Sequence, residues 1–142
     1  MSKRLKIVFN ILFVLFIVLI IANWWAIYSF SQLLGLVDAI KTGNITYEMA
    51  IIIMAIFVFL KNKYSLPISF ILMLYWLCTM PVFSVDTEGL VAIKYIYIYF
   101  GFDQAFFLTF SSWAIPLVSF IGCMYWLMES DIYKKLKNNW SE

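Results

Sequence analysis

Four apolar runs, separated by short polar segments, dominate the chain. The first, 7–28, has about the 20 residues that cross a hydrocarbon core of roughly 30 Å. Three further runs follow at 47–60, 66–83 and 104–127. The pattern predicts an all-α membrane protein, with four transmembrane helices in a single integral membrane domain over residues 1–142.

The polar residues between these runs set the expected helix ends. Glu48 falls in the first turn of the second helix, where a carboxylate favours the positive end of the helix dipole. Pro116 lies near the middle of the fourth run, where it removes a backbone hydrogen bond and predicts a kink. The remaining segments are expected to be two outer loops and a cytoplasmic tail, at 29–46, 84–103 and 129–142.

Composition strengthens the membrane interpretation. The chain is 65% hydrophobic and only 13% charged, whereas soluble domains are nearer half apolar and a quarter charged. A fold of this size could not cover such a surface with polar groups, so we expect the lipid bilayer to surround it. The formal net charge of +2 is too small to indicate a nucleic-acid partner.

The distribution of positive charge predicts the orientation. One side of the four-helix arrangement carries Lys3, Arg4, Lys6, Lys61, Lys63, Lys134, Lys135 and Lys137. The other side carries only Lys41 and Lys94. Because lysine and arginine are retained on the cytoplasmic side, we expect both termini inside the cell. Small size and this charge bias favour a bacterial inner (plasma) membrane protein.

The residues that membrane chemistry requires are scarce. Histidine is absent, and Cys78 and Cys123 lie far from any C-x-x-C spacing. No ionisable residue lies in the middle of a predicted helix, where coupled transporters and proton relays hold their ion or proton. We therefore expect no catalytic residues, no cofactor and no metal, and a protein that is not an enzyme.

Small and weakly polar residues form a stripe along the fourth predicted helix. Ser112, Pro116, Ser119 and Cys123 recur at i, i+4, i+7 and i+11. Such a stripe lets another helix approach closely. It is a candidate partner interface, or it serves packing within the chain's own bundle.

Tyrosines alternate with apolar residues in the second outer loop. Tyr95, Tyr97 and Tyr99 follow Lys94, and a period of two places them on one side of an extended segment. Tyrosine supplies a large contact area at low entropic cost, so this is a second candidate partner interface. The alternative is an interfacial aromatic belt.

Three short features occur along the chain, a basic turn followed by proline, a W-A-I-P segment and a closing aromatic segment: Lys61, Lys63 and Pro67; Trp113 to Pro116; and Tyr125, Trp126 and Leu127 with Ser130 and Lys134. In these features the chain resembles an uncharacterised family of small four-helix bacterial inner-membrane proteins of unknown function. The chain lacks that family's N-terminal glycine–tryptophan signature, and Ile132 and Tyr133 replace its arginine and valine. The resemblance implies a fold and a location but no activity.

Together these features favour a non-catalytic inner-membrane protein that acts through protein–protein contacts. It would be a complex subunit, an accessory factor or a toxin-immunity protein, and its partner would be another membrane protein or a second copy of itself. The alternative is a small oligomeric channel or transporter whose polar path uses Thr109, Ser111, Ser112 and Ser119.

Overall fold

A computed structural model describes residues 1–35, 45–79, 107 and 110–141, and these residues form five α-helices. The helices are α1 (Lys3–Leu34), α2 (Ile45–Phe59), α3 (Ser65–Thr79), α4 (Phe110–Glu129) and α5 (Asp131–Trp140). The all-α class predicted from the apolar runs is confirmed. Two helical segments, Lys3–Trp25 and α4, are long and apolar enough to cross a membrane.

The helix bounds differ from the sequence prediction at several ends. Helix α1 has 32 residues and extends beyond both ends of 7–28. Helix α4 begins at Phe110 within the described residues and continues through Pro116 as one α-helix. Pro116 lies inside this helix, and the kink there stays a prediction.

The C-terminal tail contains a helix that the sequence analysis did not predict. Helix α5 starts after Ser130, whose side-chain oxygen accepts a hydrogen bond from the Tyr133 N–H at 3.4 Å. This is an N-cap, which satisfies one of the donors left free at a helix start. The hydrophobic pattern predicts only a cytoplasmic tail over 129–142, because apolar residues are few in this segment.

Helices α1 and α2 form an antiparallel pair. The rings of Phe13 and Phe59 lie 5.3 Å apart, and Asn23 donates a hydrogen bond to Glu48. As residue numbers rise along α1 they fall along α2, so the two contacts fix the direction and the register of the pair.

The link between α2 and α3 is a tight turn at Lys61, whose φ of 54° lies in the left-handed region. The Asn62 N–H donates to the Phe57 carbonyl at 3.1 Å and the Lys61 N–H to the Val58 carbonyl at 2.9 Å. This pair of bonds is the Schellman motif that closes many helices, normally with glycine at the left-handed position. The turn returns the chain along α2 and holds two exposed lysines, Lys61 and Lys63, at this end of the bundle.

Helix α4 runs antiparallel to α3. Phe70 and Phe120 have ring centroids 5.8 Å apart, and Tyr64, just before α3, meets Trp126 edge-on at 5.7 Å. The two contacts therefore define a continuous α3–α4 seam.

Helix α4 also runs antiparallel to α1. The Ser2 N–H donates to a carboxylate oxygen of Glu129 at 3.3 Å. About two turns inside that contact, Gly122 lies against the side chains of Val8 and Leu66. These contacts bring the start of α1, the start of α3 and the end of α4 together, giving an up-and-down arrangement of four antiparallel helices.

Apolar side chains cover both the inside and the outside of this arrangement. One face of α1 is buried in the core through Leu5, Phe9, Leu12, Phe16 and Leu19. Its opposite face exposes other large apolar side chains: Ile7, Ile11, Val14 and Ile21. Helices α2, α3 and α4 also expose large apolar side chains. A helix that is apolar all round is either buried in a core or spans a membrane.

Candidate functional site

A buried carboxylate lies between α1 and α2. Glu48 is in the first turn of α2, and its side chain is fully buried. Asn23 of α1 is also buried, and its side-chain N–H donates to one oxygen of the Glu48 carboxylate. The sequence predicts Glu48 in the first turn of the helix, where its carboxylate interacts with the helix dipole, and predicts no partner side chain for it. The structure instead pairs it with the amide of another helix.

The second carboxylate oxygen of Glu48 is the unusual feature of this pair. It is buried and has no hydrogen-bond partner among the residues that the structure describes. One turn further into the bundle, Leu19 of α1 and Ile51 of α2 are completely buried and apolar. A buried polar atom without a partner costs free energy, so this oxygen is a ready acceptor for a proton, a cation or a hydrogen-bond donor.

Glu48 lies beside α1. This helix continues for about three turns beyond Asn23, to Leu34, so the first turn of α2 lies alongside it. The sequence offered two signals: Asn23 is a polar residue in a long apolar run, and Glu48 directly precedes another run. Because Glu48 lies at a predicted helix end, the lack of ionisable residues in helix middles does not reveal the pair.

Two serine hydroxyls form a second polar feature at the α3–α4 seam. Ser69 and Ser119 are completely buried, and neither side-chain oxygen has a hydrogen-bond partner within the described part of the chain. Phe70 and Phe120 are the next residues along each helix and contact one another. Because the helices are antiparallel, the two serines lie about 3 Å apart along the seam.

The serines predicted as part of a partner interface are covered by the chain itself. Ser112, Pro116 and Ser119 are all buried. Ser111, also buried, donates from its side chain to the Phe107 carbonyl at 2.7 Å, one turn earlier on the chain. This placement favours the packing alternative for the stripe. The other predicted interface residues, Lys94, Tyr95, Tyr97 and Tyr99, lie outside the described residues.

Two grooves run along the outside of the α1–α2 pair. One, of about 400 Å³, includes Asn10 and Lys61 at its polar end, and a second of about 320 Å³ has an entirely apolar lining. Phe13 and Phe59 line both grooves. Glu48 lines neither, so its carboxylate is not reached through these surface grooves.

Among the residues that the structure describes, no three acidic, cysteine or histidine side chains come together as a metal site. Cys123 carries a free thiol that is partly buried. Comparison of the chain with protein families, with curated proteins and with solved structures gives no match. The candidate site therefore stands on its geometry alone.

Proposed function

We propose that the chain is a multi-pass protein of the bacterial inner membrane, with four transmembrane helices and both termini in the cytoplasm. The contacts of Ser2 with Glu129 and of Tyr64 with Trp126 support this topology, because they gather three chain segments at one end of the bundle. That end carries most of the positive charge of the chain: Lys3, Arg4, Lys6, Lys61, Lys63, Lys134, Lys135 and Lys137. Such clustering is typical of a cytoplasmic face.

The described parts of the two middle helices are short for a membrane span. Over the described residues, α2 and α3 have 15 residues each, about 22 Å at 1.5 Å per residue. The hydrocarbon core is roughly 30 Å thick, so the bilayer would thin locally while Lys61 and Lys63 extend to the headgroups. The apolar outer surface of both helices supports a lipid environment.

Cysteine labelling in intact cells tests the topology. In a variant without Cys78 and Cys123, cysteines at Lys61 and Lys135 should be shielded from a membrane-impermeant thiol reagent, and one at Glu88 should be labelled. Labelling at Lys61 without labelling at Glu88 would mean an inverted protein. Labelling at all three positions would contradict a membrane span.

Within the membrane, we propose a non-catalytic role through contact with another membrane protein or with a second copy of the chain. The outer end of α1 is the observation that carries this proposal. Trp24, Trp25 and Tyr28 are exposed there, Tyr28 by 64%. Aromatic side chains of this kind dominate the energetics of many protein interfaces. A subunit, an accessory factor or a toxin-immunity protein would all use such a surface.

Site-specific photo-crosslinking in cells tests the contact. A photoreactive residue at Tyr28 or at Tyr97 should give one discrete adduct that also survives purification in mild detergent. The same residue at Ile71, an exposed position on α3, is the matched control and should give no discrete adduct. Recovery of a lone monomer, without an adduct from either tyrosine, would refute the proposal.

The second outer loop has a separate test. Replacing Tyr95, Tyr97 and Tyr99 together by alanine should leave expression and helix content near wild type while weakening capture of the partner. If the triple variant is degraded and shows no distinct binding defect, the tyrosines form a structural belt and contribute no recognition.

A second candidate function is a small channel or transporter. The buried Glu48 favours it, because an ionisable group inside a membrane protein is by default a candidate for ion or proton handling. Ser112 and Ser119 are buried within one chain, so a polar path would run inside the bundle. Flux into reconstituted vesicles that is lost in both Ser112→Leu and Glu48→Gln would establish this function. Absence of flux above that of protein-free vesicles would exclude it.

A further inference from the structure

Helix α5 has an apolar face that the described chain does not cover. Tyr133, Leu136 and Trp140 are spaced by three and four residues, so they fall within about 60° of the helix circumference. All three are exposed, and Trp140 is exposed by 88%. We call these three side chains the α5 apolar face.

Lysines border this face and continue around the helix. At 100° per residue around the helix axis, Lys137 lies about 40° from Tyr133 and Lys134 about 100° from it in the same direction. Lys135 lies on the side of the helix away from the α5 apolar face. All three lysines are exposed, and Asp131 is the acidic residue of the helix. Its carboxylate lies 3.8 Å from the ammonium of Lys134, an exposed pair that contributes little free energy. Helix α5 is therefore a basic amphipathic helix.

The position of α5 relative to α4 indicates what its apolar face meets. Only Ser130 separates the two helices. The Ser130 N–H donates to the Leu127 carbonyl at 3.1 Å, and the Ser130 side-chain oxygen caps α5. In the proposed topology this short, hydrogen-bonded connection starts α5 at the level where α4 leaves the bilayer.

We propose that α5 lies on the cytoplasmic leaflet of the protein's own membrane and binds its anionic lipids. The α5 apolar face enters the boundary between headgroups and acyl chains, and Lys137 and Lys134, on one flank of the helix, contact phosphate and other anionic headgroup oxygens. Charge complementarity and the short connection to α4 select this surface over a soluble partner. The inference rests on the proposed membrane topology.

Lipid quenching in the intact protein tests this inference. A cysteine-free variant receives one environment-sensitive fluorophore at Leu136 or, as the matched control, at Asn138 on the opposite face of α5. Both are reconstituted in nanodiscs that contain phosphatidylglycerol and a lipid with a quencher at headgroup depth. We expect quenching at Leu136 at least about twice that at Asn138, because only the former faces the lipid.

Charge dependence provides the second measurement. Each lysine near an anionic surface contributes about a fivefold factor, so Lys134→Gln with Lys137→Gln should lower the ratio of docked to free α5 about 25-fold. Phosphatidylcholine nanodiscs and high salt should weaken docking in the same direction. Equal quenching at Leu136 and Asn138 in anionic nanodiscs would overturn the inference. A blue-shifted Leu136 fluorophore that lipid does not quench would also overturn it, in favour of a protein contact.

A fluorophore at Ile71 separates failure of this inference from failure of the topology. This side chain is exposed on α3 and faces lipid if the bundle spans the membrane. Quenching at Ile71 by an acyl-chain quencher, without quenching at Leu136, would refute α5 docking alone. No quenching at either position would refute the membrane span itself, and α5 docking with it.

Discussion

Gly122 of α4 contacts side chains of α1 and α3, and replacing it by alanine tests that packing. A methyl group at this position would lie 2.8 Å from a terminal methyl carbon of Leu66 and 2.9 Å from a methyl carbon of Val8. Carbon atoms in contact prefer 3.5–4.0 Å, so each neighbour would have to move by about 0.6 Å or more. The end of Leu66 can rotate away. Val8 has two substituents on its β-carbon and one strongly preferred helical rotamer, so it resists the movement.

Two opposing terms set the size of the effect. Overpacking a close contact costs about 1–3 kcal/mol, whereas alanine is favoured over glycine within a helix by about 1 kcal/mol. Gly122→Ala should therefore lower the free energy of unfolding by about 1 kcal/mol in the native background. With Val8→Ala the methyl group of Val8 is gone, and the same substitution should become neutral or stabilising.

Unfolding by SDS in mixed micelles, followed by circular dichroism, gives the free energies for wild type, both single variants and the double variant. We expect Gly122→Ala to differ by about 1–3 kcal/mol between the two backgrounds. An identical effect in both would show that Gly122 and Val8 are not in contact, and would refute the α1–α4 register.

Three further predictions follow from the buried polar groups and the thiols. Asn23→Leu removes the amide that donates to Glu48, so it should lower the free energy of unfolding by about 1–3 kcal/mol, and adding Glu48→Met should restore much of the lost stability. Additive losses in the same SDS titration would contradict the pairing. Ser119→Ala should be neutral or stabilising by up to about 1 kcal/mol, because it removes a buried hydroxyl without a partner, and a clear loss would reveal one. Cys78 and Cys123 should both titrate as free thiols after denaturation, because the α3–α4 register separates their Cα atoms by about 15 Å or more and a disulfide needs Cα atoms within about 7 Å. A disulfide on non-reducing gels would contradict that register.

The apolar runs predict the long apolar helices but not the contacts between them. Runs of the right length define α1 and α4 because a helix depends mainly on nearby residues. The burial of Glu48 depends on its packing against α1, which is a relation between two helices. The pairing of Asn23 with Glu48 reveals it.

The absence of helix α5 from the sequence prediction has a different cause. The spacing of Tyr133, Leu136 and Trp140 is present in the sequence, but the ten-residue segment is rich in lysine and asparagine and is polar on average. Three apolar residues raise the mean hydropathy of such a segment very little. Their periodicity carries the information, together with the serine cap at its start.

The hydrogen bond from the Ser2 N–H to the Glu129 carboxylate has a consequence for biosynthesis. It joins Ser2, next to the start of α1, to the end of α4, so it forms only after all four helices of the bundle have been made. During translation α1 is complete long before α4 emerges, and the face around Val8 stays uncovered in the meantime. Premature termination before α4 would leave that face open permanently, and such fragments should be recognised and degraded by cellular quality control.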